Sequence, residues 1–152
     1  MKLSILERLL IQNLLPEKGS YTNLKIIRVA REALSFNEQE NKAFEFIQEG
    51  EQLKWKTKEN VGVAIKNLEE LLQKPDLAKW EKEKAEAQIE ELKPKLALLE
   101  NVPEERDIKL GEIVTEMIKK KLKEIDEKQE LLPQQASLYE KFVEGEKAEV
   151  LH

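Results

Sequence analysis

Residues 44–56, from Phe44 to Lys56, read FEFIQEGEQLKWK and carry the one β signal in a chain that otherwise reads as helix. Glu49-Gly50 can form a two-residue turn, with Gly supplying the positive φ that such turns need. Counting outward pairs Gln48 with Glu51, Ile47 with Gln52, Phe46 with Leu53, Glu45 with Lys54 and Phe44 with Trp55. Side chains alternate faces along a strand. Phe44, Phe46, Leu53 and Trp55 therefore share one face, and Glu45 sits opposite Lys54 on the other. Cross-strand pairs contribute about 0.2–1 kcal/mol each. That sum does not hold an isolated hairpin in water, so the aromatic face has to pack on the helices either side. Glu is not favoured as the first residue of such a turn, and a longer loop shifts this register.

Upstream, Leu3, Leu6, Leu10 and Leu14 recur at helical spacing, with Leu9 widening the stripe. Ser4 and Glu7 have capping-box spacing, which starts the helix at Ser4, and Pro16 and Gly19 end it. A second helix is expected over Ser20–Leu34, with Leu24, Ile27, Ala30 or Arg31, and Leu34 on its buried side. A short third helix over Ser35–Ala43 has Ser35 or Asn37 as cap and Glu38 and Glu40 in its first turn, where the helix dipole favours them. Helix, helix, short helix, hairpin is the order of a winged helix. In that fold the third helix enters the DNA major groove. Here it offers Glu38, Gln39, Glu40, Asn41 and Lys42, and two carboxylates face phosphate poorly.

Downstream, Val61, Ile65, Leu68 and Leu72 alternate steps of four and three. After Lys74-Pro75-Asp76, with Asp76 placed to cap the next helix, Ala78, Ala85, Ile89, Leu92, Leu96 and Leu99 continue the pattern. Two such segments across a short turn read as an antiparallel helical hairpin with a coiled-coil seam. Pro94 should kink or divide its second arm near Lys93. Asn101 to Arg106 reads as a connector. A long helix over about Ile108–Glu130 carries a broad stripe of Leu110, Ile113, Val114, Met117, Ile118, Leu122 and Ile125. After Pro133, Leu138, Phe142 and Val143 dock a short final helix, and residues 144–152 read as a frayed tail.

The expected fold class is therefore mainly α: a small helical domain with one β-hairpin in winged-helix-like order and a projecting antiparallel helical hairpin. The expected domains are 1–57, helices plus hairpin; 58–102, an insertion-like helical hairpin; and 103–152, a long core helix and short C-terminal helix packing back on 1–57.

Composition restricts function more than it identifies it. The chain has 152 residues, 38% of them charged, and a net charge of -5. Residues 1–57 carry nine basic and eight acidic side chains, while 58–106 carry nine and twelve and 107–152 carry eight and eleven. Only the first part is electrostatically permissive for nucleic acid. There is no cysteine, which removes disulfides, thiol catalysis and cysteine metal sites. Glu7 and Arg8 interrupt the apolar N-terminus, so a signal peptide is not expected, and no apolar run approaches the ~20 residues of a membrane span. The expectation is a cytoplasmic protein with no membrane partner. The one histidine is His152, a poor base or ligand at the end of the sequence. No His-based triad, HExxH, P-loop or Gly-rich dinucleotide turn occurs. No catalytic, cofactor-binding or metal-binding residue is assigned, and the chain is read as not an enzyme.

The opening MKLSILERLLIQNLLPEKGSYTNLKIIRVAREALSF, with IKLGE, LKEIDEKQEL and SLYEKFV further on, resembles small proteins encoded by tailed bacteriophages. In that pattern the segment from about Val61 to Asn101 looks like an insertion. The resemblance implies a phage origin, hence the host cytoplasm, and an accessory role. It brings no catalytic or ligand-binding residue with it.

The leading reading is a non-enzymatic protein–protein interaction or regulatory accessory protein. Its partner would be another protein such as a host factor, with Trp55 and Trp80 as aromatic anchors. Self-association through the helical seams is a further expectation. The alternative is a winged-helix nucleic-acid-binding protein using Lys18, Lys25, Arg28, Arg31, Lys54 and Lys56 as phosphate contacts.

Overall fold

The computed structural model describes residues 1–145; His152 and the rest of the expected tail beyond Gly145 lie outside the described residues. The described residues are mainly helical with two short antiparallel ladders. They form two compact units: Met1–Ser35 with the described residues from Glu105 on, and Phe36–Glu104.

In the first unit, strand β1 (Lys2–Ser4) leads into helix α1 (Ile5–Leu14), and helix α2 (Tyr21–Leu34) follows. Strand β4 (Glu105–Asp107) pairs antiparallel with β1, Leu3 opposite Arg106. Residues read as helix start and connector are thus a sheet. Leu3 is fully buried there and belongs to the core. Ser4 caps α1 as expected: its hydroxyl accepts from Glu7 N at 3.2 Å, and its own N–H donates to Glu7 Oε1 at 2.9 Å.

The buried side of α1 differs from the expected leucine stripe. Ile5, Arg8 and Ile11 are buried, while Leu6 is 40% exposed. With Leu3 drawn into β1, the helix turns so that Arg8 faces inward. The core unites Ile11, Leu14 and Leu15 with Ile27, Ala30 and Leu34 of α2 and with Val114, Ile118 and Leu122 of helix α6 (Glu112–Glu127). Leu24 and Ile113 were expected to be buried; they are 39% and 52% exposed. A last helical segment runs through a 3₁₀ turn at Pro133–Gln135, helix α7 (Ala136–Tyr139) and a π turn at Glu140–Glu144. Leu138, Phe142 and Val143 dock it, as their spacing predicts.

In the second unit, helix α3 (Glu38–Phe44) is capped by Asn37, whose side chain accepts from Glu40 N at 2.7 Å, with Glu40 reciprocating. Strands β2 (Ile47–Glu49) and β3 (Gln52–Lys54) form the hairpin. The expected register is corrected. Glu49 pairs with Gln52, Gln48 with Leu53 and Ile47 with Lys54, so the loop is Gly50-Glu51. A Glu49-Gly50 loop of the favoured kind would force Glu49 to positive φ, at about 1–2 kcal/mol. Shifting the loop gives that place to Gly50, whose φ is +61°, as the first position of a type II′ turn requires. The slip is two residues, so the faces are kept. A Cβ on Gly50 would meet nothing within 4 Å. Gly50→Val is therefore expected to cost about 1–2 kcal/mol through backbone strain alone, lowering the chemical-denaturation midpoint. An unchanged midpoint would contradict this turn.

Helix α4 (Lys58–Leu72), capped by Thr57, and helix α5 (Lys79–Glu100) follow. They pack along each other, burying Val61 and Ile65 of α4 and Ala85, Ile89 and Leu99 of α5. The expected Asp76 cap is absent: the N-cap position is Ala78, with no side-chain bond. Helix α5 also runs unbroken through Pro94. Pro94 and Glu90, whose carbonyl the ring displaces, are both exposed, where water can take over the lost hydrogen bond.

Candidate functional site

The two tryptophans have different surroundings. Trp55 is half-buried and lies 6.1 Å from Phe46, centroid to centroid. Phe46 in turn contacts Phe36 at 4.6 Å and Phe44 at 6.0 Å, the latter edge-to-face. Phe44 reaches this cluster from the end of α3, not from the hairpin, and is fully buried. The Trp55 carbonyl also accepts from Asn60 Nδ2 at 3.1 Å. Trp55 is thus tied into the packing that carries the hairpin. Trp80, in the first turn of α5, is 66% exposed, and no ring contact holds it among the described residues.

The six candidate phosphate contacts are divided between the two units. Lys18, Lys25 and Arg28 are exposed in the first unit. Arg31 turns back to the end of α1, donating from Nη1 to the Gln12 carbonyl at 3.1 Å and from Nη2 to the Leu15 carbonyl at 3.4 Å. Helix C-termini leave such carbonyls without intrahelical donors, and a cation there also suits the helix dipole. Lys54 pairs with Glu49 and Lys56 with Glu45, each at 2.7 Å, in the second unit. Glu45 has a left-handed backbone at the end of α3, with φ 47°. Hydrogen bonds from Lys56 and Lys95 hold its carboxyl below the ordinary carboxylate value. Lys95 also donates to the Lys42 carbonyl at 2.8 Å. The third helix is similarly occupied: Glu40 is buried and spent on capping.

The sequence reading missed the polar groups inside the first unit. Arg8 is fully buried, donating from Nε to the Leu34 carbonyl at 3.2 Å and from Nη2 to the Ser35 carbonyl at 2.5 Å. Arg106 reaches the same helix end, with Nη2 2.9 Å from the Ala33 carbonyl. Burial raises the pKa of Glu7, but the Lys141 ammonium at 2.7 Å and the Ser4 N–H outweigh it and leave it below its ordinary value. Charge in a helical heptad normally signals a solvated face. Here the only hint was position: Glu7 and Arg8 stand inside an otherwise apolar helix.

A hollow of about 850 Å³ lies open along α6 between Ile113, Met117, Glu116, Lys120 and Glu124. Its walls mix acidic and basic side chains from one helix, unlike the enclosed, mostly apolar pockets that hold small ligands. Among the described residues no group of three or more His, Asp or Glu is placed to hold a metal, and no helix is long and apolar enough to cross a membrane. Neither family models, nor curated proteins, nor solved structures show a match to this chain.

Proposed function

We propose that the chain is a non-enzymatic accessory protein that binds another protein, with Trp80 as the anchor of the contact. Exposure of Trp80 is the observation that carries this reading. An indole left 66% in water at the start of a long helix is the residue type on which interface energy concentrates. Trp55 is not part of this site, since its ring is committed to the aromatic cluster. The phage-like segments at both ends of the sequence support a phage origin and a host protein in the cytoplasm as partner.

Trp80→Ala tests the reading. Its folded stability is expected to stay within about 0.5 kcal/mol of the parent, as for exposed positions generally. Its binding to a protein captured by the parent chain is expected to fall by about 2 kcal/mol or more, roughly 30-fold. A captured partner that binds Trp80→Ala equally well would overturn the reading.

The winged-helix alternative keeps only Lys18, Lys25 and Arg28 as uncommitted cations. Fluorescence anisotropy with duplex DNA is expected to show no binding even at low salt. Binding that weakens steeply with salt and again in Arg28→Ala would reverse that expectation, because each phosphate contact releases counterions.

A further inference from the structure

Beside the seam between α4 and α5 runs a shallow groove lined by Ala64, Asn67, Leu68, Gln88, Glu91 and Leu92, about 440 Å³ in volume. Leu68 and Leu92 are only half-buried beside it. A second shallow hollow on α5 shares Gln88 and Glu91 and extends the strip to Lys84. Lys84, Gln88 and Glu91 recur at steps of four and three, which puts them on one stripe of the helix. All three are exposed, and neither Lys84 nor Glu91 has an ion-pair partner among the described residues.

The order of charges in that stripe selects an occupant. In a two-fold contact each residue meets its counterpart reflected through the axis. If α5 lies antiparallel to its own copy with the axis midway between Lys84 and Glu91, at the Ala87–Gln88 step, Gln88 faces Ala87 of the partner subunit. Lys84 and Glu91 stand equally far before and after that axis, so Lys84 meets Glu91 of the partner subunit. The reverse contact forms as well, so the stripe neutralises itself twice. A parallel alignment would oppose like charges. We propose that the α4–α5 groove binds a second copy of this chain about a two-fold axis at the Ala87–Gln88 step, covering Leu68 and Leu92 and pairing Lys84 with Glu91 of the partner subunit.

This goes beyond the Trp80 reading, and the two fail separately, because the dimer is read with this chain alone. The test is sedimentation equilibrium of the full chain over a range of concentrations, at low and near-physiological salt. The parent is expected to be a reversible dimer that weakens as salt screens the charge pairs. Glu91→Lys sets like charges opposite each other at both contacts and is expected to weaken the dimer about tenfold or more. Lys84→Glu should do the same. The double variant Lys84→Glu with Glu91→Lys re-forms both pairs with the signs exchanged and should restore the parent constant. Circular dichroism melts of all four proteins should coincide. If Glu91→Lys melts early, Gln88→Lys takes its place, bringing two like charges close together beside the axis. A parent chain that stays monomeric at every concentration would overturn the proposal. So would single variants that dimerise like the parent, or a double variant as weak as the single ones.

Discussion

Arg8→Ala should destabilise the chain by about 3–5 kcal/mol, the range seen when a buried charged hydrogen-bonding group is removed. The truncation opens a cavity where a fully buried side chain stood. It also removes the Arg8 donors to the Leu34 and Ser35 carbonyls at the end of α2. The bond to Leu34 is buried, so water does not replace it there. Arg8→Lys should recover only part of the loss, since one ammonium cannot reproduce the two-carbonyl fork of a guanidinium. Urea unfolding followed by far-ultraviolet circular dichroism would measure both. A loss below about 1 kcal/mol for Arg8→Ala would mean that Arg106, which also reaches the Ser35 carbonyl, is the group holding that helix end.

Phe44→Ala should cost about 3–5 kcal/mol, as expected for deleting a fully buried aromatic ring. Phe44 contacts Phe36 and Phe46 edge-to-face, at 6.5 and 6.0 Å. Its loss removes the floor beneath Phe46 and, through Phe46, beneath Trp55. The effect is readable in one place. In a Trp80→Phe background Trp55 is the remaining indole, and its emission should shift red before the helices melt. Emission that changes only with the loss of helix would show that the hairpin and α3 unfold with α4 and α5 as one body.

What the sequence made legible was local. Ser4 with Glu7, the heptad steps from Val61 to Leu99 and the hydrophobic spacing of Leu138, Phe142 and Val143 each need only neighbours a few residues away. The hairpin was recognisable from Gly50 and its alternating flanks, but its register was not. Register depended on whether Glu49 or Gly50 would take the positive φ, and the strain on a glutamate decides that. The β1–β4 ladder could not be read from pattern at all, because three-residue strands about a hundred positions apart leave no periodicity. Arg8 and Arg31 carried an ambiguous signal. An arginine in a helix is usually solvated, and only the three-dimensional position of another helix's last carbonyls turns it into a cap. Of the candidate site, exposure separates two tryptophans that look alike in sequence, because Phe46 lies against one of them. Phe36–Lys56 group with α4 and α5 in one compact unit.

The pairing of Leu3 with Arg106 has a consequence for synthesis on the ribosome. The first 35 residues emerge before everything they need: the strand that completes β1, the helix that covers Ile11 and Leu34, and Arg106. All of these are translated only after Phe36–Glu104. That intervening stretch has local contacts and can fold while the ribosome is still working, since domains tend to fold as units during translation. Once folded, it shortens the effective loop that β4 must close to reach β1, a cost that grows with the logarithm of loop length. Until then α1 carries an unshielded Arg8 and a bare apolar face, and a nascent chain stalled anywhere before Asp107 would be the species most prone to aggregate or to be degraded.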